Sequence, residues 1–164
     1  MTTTIENGFG SRIMVNGYLL NNELTDFSFR SHSDGVPIAN RVEPGKRPRS
    51  SMAPTIVLKD GKPVLAVGSP GGSRIIGYVA DAIVAHLDWG LDVQQAVSLP
   101  HAVNRFGTYD LEEGTAAVDL EGPLSDLGFE VGTRALTSGL HMIAIGDDLQ
   151  GGADPRREGI ALGN

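Results

Sequence analysis

Residues 55 to 89 constrain the fold more than any other stretch. An apolar segment (55–58) is followed by Asp60-Gly61, a second apolar segment (64–67), the loop GSPGGS and a helical pattern. Asp-Gly between two short runs of β-branched and aliphatic residues specifies a tight hairpin, because both turn positions tolerate positive φ. Over residues 74–89, Ile75, Ile76, Val79, Ile83, Val84 and Leu87 cover most of a helix circumference, so the helix is expected to pack on more than one side. Asp81 and His86 interrupt the run, which is too short to cross a bilayer. A hairpin feeding a helix through glycines implies a sheet with helices on it, an α/β (α+β) architecture.

Elsewhere the pattern is weaker. Residues 2–6, rich in Thr and Ile, are expected to form a strand before an Asn7-Gly8 turn. Residues 28–50, with Gly35, Pro37, Pro44, Gly45, Pro48 and many charges, are expected to form an irregular surface loop. Asp92 is placed to cap a second helix that runs through Ser98 and stops at Pro100. Strands are expected over 108–111 and 129–135, around a helical piece at 124–127. A further strand is expected over 141–145, turned by Gly146-Asp147-Asp148. At 164 residues the chain suffices for one core, and 1–164 is taken as a single domain.

Thirteen Lys and Arg against 20 Asp and Glu argue against nucleic acid, which needs a basic surface to displace counterions. The absence of Cys excludes thiolate sites, and the four His show no zinc spacing, so neither metal nor cofactor is expected. Met1 leads directly into a polar stretch with no signal-like or membrane-spanning segment, and a truncated N-terminus is expected.

Three segments carry chemistry. In GSPGGSRII, amide hydrogens at the positive end of a helix can hold an anion or a developing oxyanion; such a turn also serves simply to pass a strand into a helix. In NNELTDF, Glu23 and Asp26 lie three apart and can point the same way, as an ammonium site or as a solvated acidic face. Ser50-Ser51, after the basic GKRPR, can donate two hydroxyls to a carboxylate or merely shape a turn.

Taken in order, Thr4, FGS at 9–11, LLNNELTDF, PGKRPRSSMAPT, DGKPVLAVGSPGGSRI and ADPRREG resemble the γ-glutamyltransferase family over essentially the whole chain. The resemblance implies the small-subunit part of an N-terminal-nucleophile hydrolase, an αββα sandwich that is incomplete here. It implies self-cleavage that frees a threonine nucleophile, and transfer of a γ-glutamyl group from glutathione or another γ-glutamyl compound to water, an amino acid or a peptide. Residue by residue, it makes Thr4 the partner of the nucleophile, Glu23 and Asp26 the holders of the substrate α-ammonium, and Ser50 and Ser51 the donors to its α-carboxylate. Gly71 and Gly72 become the oxyanion donors. The chain's own large-subunit portion is the implied partner, the compartment periplasmic or extracellular, and exposed strand edges left without that partner imply self-association of the isolated chain.

Two departures stand out. Glu6 occupies a position where many members have Asn, which adds a third carboxylate to the ammonium site. The nucleophile itself is expected upstream of Met1, and Thr2 and Thr3 do not replace it. A related glutaryl or β-lactam-side-chain acylase is the alternative enzyme, disfavoured by retention of both Glu23 and Asp26. A non-catalytic binding module is the other alternative.

Overall fold

In the computed structural model, residues 2–6 and 10–163 are described, so the Asn7-Gly8 turn and Phe9 of the FGS block lie outside them. The chain groups into two compact units, Met1–Ser50 and Ser51–Asn164.

The first unit is built from short hairpins. β1 (Met14–Val15) and β2 (Tyr18–Leu19) pair antiparallel through Asn16-Gly17, whose φ values of 49° and 83° suit a tight hairpin turn. A 3₁₀ turn follows at Glu23–Asp26. β3 (His32–Ser33) and β4 (Val36–Pro37) then pair through Asp34-Gly35, so the expected loop over 28–50 holds a hairpin and is otherwise irregular. The expected strand at 2–6 does not form. β-branched residues stabilise a strand only against a partner, and here Glu6 turns the backbone to φ 45° while its N–H donates to Thr4 Oγ1 at 3.1 Å.

In the second unit, β5 (Thr55–Lys59) and β6 (Lys62–Gly68) form the expected hairpin, with Asp60 and Gly61 both at positive φ. α1 (Ile75–Leu87) and α2 (Val93–Ser98) follow; Asp92 caps α2, accepting from Gln95 N at 2.8 Å while Gln95 Oε1 accepts from Asp92 N. Next come β7 (Ala102–Asn104), β8 (Tyr109–Glu112), a 3₁₀ turn at Ala116–Leu120, α3 (Glu121–Asp126) and β9 (Val131–Arg134). β10 (His141–Ile145) and β11 (Leu149–Ala153) complete the order.

The main sheet runs β11-β10-β6-β5, all antiparallel, and a smaller sheet runs β7-β8-β9 with β8 and β9 parallel. Strand alternation divides the main sheet into two faces. Leu65, Val67 and Met142 point to one, where Tyr78, Val79, Ala82 and Ala85 of α1 and Val93, Ala96 and Val97 of α2 join them in the core. Ile56, Ala66, Ile143 and Gly151 form a register row on the other, and Ile56 is 67% and Ile143 47% exposed. Only one stripe of α1 is buried; Ile76, Val84 and Leu87, expected to be covered, are exposed. α2 approaches β11 so closely that a Cβ on Gly152 would lie 2.6 Å from Val93 O, and Gln94 brackets Ala153 with bonds to both its N–H and its carbonyl. Among the described residues no helix is long and apolar enough to cross a membrane.

Candidate functional site

After β6 the chain turns through Ser69-Pro70-Gly71-Gly72 into α1. Gly71 sits at φ 140° and Gly72 at φ 58°, a succession that side-chain-bearing residues rarely adopt. A short 3₁₀ turn, Gly72–Arg74, leads directly into the helix. Among the described residues, neither the Gly71 nor the Gly72 N–H meets an acceptor. Two donors at the positive end of a helix are therefore available to an anion. Three side-chain tethers hold this loop: Ser69 Oγ accepts from Gly139 N at 3.2 Å, Ser73 Oγ from Arg105 Nη1 at 2.6 Å, and Arg74 donates to Asp110 Oδ2 at 3.0 and 2.6 Å.

Beneath the loop lies a buried array that sequence reasoning missed. The Tyr78 and His101 ring centroids are 4.2 Å apart, and His101 Nε2 lies 2.6 Å from Ser138 Oγ. The Ser138 hydroxyl donates to Asp154 Oδ2, so His101 Nε2 carries the proton and donates to Ser138. Asp154 also accepts from Leu140 N at 2.9 Å and from Arg156 Nη1 at 3.0 Å. Arg156 forks onto Glu112 at 2.6 and 2.7 Å, and Glu112 accepts from His101 N at 2.8 Å, which closes the ring of contacts. Burial drives the His101 pKa down to about 4, with the nearby Arg156 charge adding to the effect, so its imidazole is neutral at neutral pH. For Glu112 and Asp154, burial pushes the pKa up, but hydrogen bonds from Arg156, Ser138 and backbone N–H groups prevail and hold both carboxyls below their ordinary range.

In the first unit, Glu23 and Asp26 begin and end one 3₁₀ turn. With three residues per turn their side chains fall in line; both are half-buried, whereas Leu24 and Thr25 between them are exposed. Among the described residues neither carboxylate has a cationic partner. Glu6 Oε2 accepts from Asn22 Nδ2 at 2.6 Å, and among the described residues Asn22 Oδ1 is buried without a hydrogen-bond partner. Thr4 Oγ1 is engaged by Glu6 N. Asn40 ties two parts of the unit, donating to Asp26 O at 2.7 Å and accepting from Arg49 N at 2.8 Å. Ser50 ends this unit and Ser51 begins the next, both in irregular backbone. Thr4, Glu6, Glu23 and Asp26 thus lie in one unit, Glu6 bonded to Thr4 and to the Asn22 that precedes Glu23, and Gly71 and Gly72 lie in the other. Among the described residues no group of His, Asp or Glu has the arrangement of a metal site.

The sequence model of the gamma-glutamyltranspeptidase family matches residues 1–164. The chain belongs to this family. It is 44% identical over 170 residues to a glutathione hydrolase proenzyme of Bacillus subtilis, covering 99% of the chain and 28% of that protein. It is 39% identical over 170 residues to the Escherichia coli glutathione hydrolase proenzyme, covering 95% of the chain and 29% of that protein. The chain therefore spans under a third of the length of these two relatives. A Helicobacter pylori gamma-glutamyltranspeptidase mutant superposes with TM-score 0.81 at 34% identity, covering 96% of this chain and 92% of that one. The α/β architecture is that of the gamma-glutamyltranspeptidases.

Sequence signals existed for some of the missed residues. ADPRREG was legible as a family block, yet nothing local indicated that Arg156 reaches Glu112, 44 residues away, and bridges it to Asp154. Asn22 and Asn40 read as loop polar residues, and only the fold shows one with an orphan acceptor and the other as a brace.

Proposed function

We propose that this chain supplies the γ-glutamyl pocket and oxyanion donors of an enzyme that cleaves γ-glutamyl amides such as glutathione. The reaction passes through a threonine acyl-enzyme, and the γ-glutamyl group goes to water, an amino acid or a peptide. The nucleophile and the large-subunit portion belong to the part of the enzyme that the chain does not span. Glu23 and Asp26 hold the α-ammonium, with Glu6 adding negative potential and Asn22 Oδ1 a further acceptor; Ser50 and Ser51 donate to the α-carboxylate. When the nucleophile attacks the γ-carbonyl, its C=O becomes an oxyanion that accepts from Gly71 and Gly72 N–H. Collapse breaks the C–N bond and leaves the ester, the departing amine taking the proton that the nucleophile's hydroxyl gave up, and an incoming water or amine reverses the sequence. Thr4 orients the nucleophile's hydroxyl. Secretion of the enzyme accords with the same reading.

The observation that carries this reading is the pair of half-buried carboxylates on one 3₁₀ turn, with no cation beside them among the described residues. Such a pair favours an ammonium ligand. In the complete enzyme, Asp26→Ala is expected to lower kcat/KM for γ-glutamyl anilides by roughly 30- to 1,000-fold, corresponding to about 2–4 kcal/mol for truncating one partner of a desolvated ion pair. The glutaryl anilide, which has no ammonium to lose, is expected to change by less than about threefold. An unchanged ratio of the two specificity constants in both Asp26→Ala and Glu23→Ala would remove the ammonium assignment.

A further inference from the structure

The loop that carries Gly71 rests on a side chain. A Cβ at Gly71 would lie 2.6 Å from Tyr78 Cε2 and 3.0 Å from Cδ2, so one edge of the Tyr78 ring fills the place a side chain would take. Tyr78 is 1% exposed and three residues into α1, and its ring stacks on His101 at 34°. Among the described residues the Gly71 and Gly72 N–H groups engage no acceptor, so beyond the Arg74 N–H bond to Gly71 O at 3.2 Å the loop's position relies on the Ser69, Ser73 and Arg74 side-chain tethers and on packing from beneath.

His101 in turn cannot shift freely. Its N–H is held by Glu112 and its Nε2–H by Ser138; Ser138 is held by Asp154, and Arg156 bridges Asp154 back to Glu112. All of these except Arg156 are buried, and the Arg156 side chain is 13% exposed.

We infer that Tyr78 is a positioning residue: clamped between Gly71 and the His101 ring, it sets the height of the Gly71–Gly72 amides toward the developing oxyanion. This rests on the proposed oxyanion role of those amides. Oxyanion donors act only when aimed, within about 3 Å, at where the oxygen will be in the transition state, and a displacement on the order of 1 Å can lower the rate about 100-fold. A rigid ring backed by a closed hydrogen-bonded cycle defines that height, whereas a flexible aliphatic chain of similar volume fills the space without defining it. The ring edge, not the hydroxyl, makes the contact.

The test uses the complete, self-processed enzyme, with kcat and KM for hydrolysis of γ-glutamyl-p-nitroanilide scaled to active sites counted by the acyl-enzyme burst. Tyr78→Phe is expected to stay within about twofold of wild type. Tyr78→Met and Tyr78→Leu are expected to lose about 10- to 100-fold in kcat with KM changed less than about threefold; Met serves if Leu does not give soluble protein. Gly71→Ala is the reference for a lost donor geometry, with a loss of about 100-fold or more. If Gly71→Ala lowers kcat per active site and both Tyr78→Met and Tyr78→Leu do not, the positioning role is wrong while the oxyanion reading stands. If Gly71→Ala leaves kcat unchanged, the oxyanion reading fails and this inference with it. A loss that vanishes once active sites are counted likewise overturns the positioning role.

Discussion

Replacing Arg156 by Ala removes the only cation between two carboxylates among the described residues. Asp154 has a side chain 0% exposed and Glu112 one 9% exposed, and together they receive four bonds from the guanidinium and backbone of Arg156. The same guanidinium donates to Leu99 O at 2.7 Å. Removing one member of a buried ion pair typically costs about 3–5 kcal/mol, because a charge remains desolvated without compensation. With Ser138 and Leu140 still bonded to Asp154 and the His101 N–H to Glu112, a loss near the lower end, about 3 kcal/mol, is expected. For a chain of 164 residues that lowers Tm by roughly 6–12 °C.

The sign with pH follows from linkage. In the wild type both carboxyl pKa values lie below their unfolded values, so their contribution is present above the unfolded values and fades as pH falls through the folded ones. Without Arg156, Glu112 loses the largest of the bonds that hold its pKa down and burial prevails there, so the folded variant takes up a proton first at Glu112 and its deficit narrows as pH falls toward 5. Scanning calorimetry of wild type, Arg156→Ala and Arg157→Ala at pH 5 and 8 measures this, the exposed Arg157 serving as control. A loss under about 1 kcal/mol, or a deficit equal at both pH values, would refute the reasoning.

Burial lowers the His101 pKa from 6.5 to about 4, so the unfolded chain binds its proton first as pH falls. Stability from His101 is full above pH 6.5 and is lost between there and about 4, by about 3 kcal/mol in all; the difference between wild type and His101→Gln isolates it, and parallel pH curves would count against it. The 164-residue chain alone, which covers 28% of its Bacillus subtilis relative, is expected to release no dye from γ-glutamyl-p-nitroanilide, and its exposed Ile56–Ala66–Ile143 row is expected to bind a hydrophobic dye and self-associate. Site-dependent turnover, or a compact monomer that ignores the dye, would contradict these expectations.

What was legible in the sequence was local. Asp60-Gly61 carries its own conformational signature, as does Asp92 as a helix cap, and both elements appear where the pattern places them. Residues 2–6 failed because a strand's stability lies in its partner, which five residues cannot specify. Asn16-Gly17 and Asp34-Gly35 are turn signals as clear as Asp60-Gly61, but their flanking strands are two residues long and too short to show alternation. The glycine loop was readable as an anion site, yet the reason for Gly71 was not. The Tyr78 ring beneath it comes from α1 and is held from β7's flank by His101, contacts that no spacing along the chain encodes. The buried array was invisible for the same reason: Arg156 meets residues 44 and 59 positions earlier, and Asp154 meets Ser138 and Leu140 across a strand pair.

Those sequence separations also set a timetable on the ribosome. Glu112 is translated 44 residues before the arginine that neutralises it, and at about 5–20 residues per second roughly 2–9 s pass between the two. During that interval α1, α2 and the β5–β6 hairpin have been made, but the carboxylate that must be buried beside them has no counter-ion. Enclosing it early would carry the full desolvation penalty, so the nascent layers are expected to stay open to water until Asp154 and Arg156 emerge. The last strand and the DPR segment after it are thus expected to act as a latch on folding, admitting the compact state only once Arg156 is in reach of Glu112.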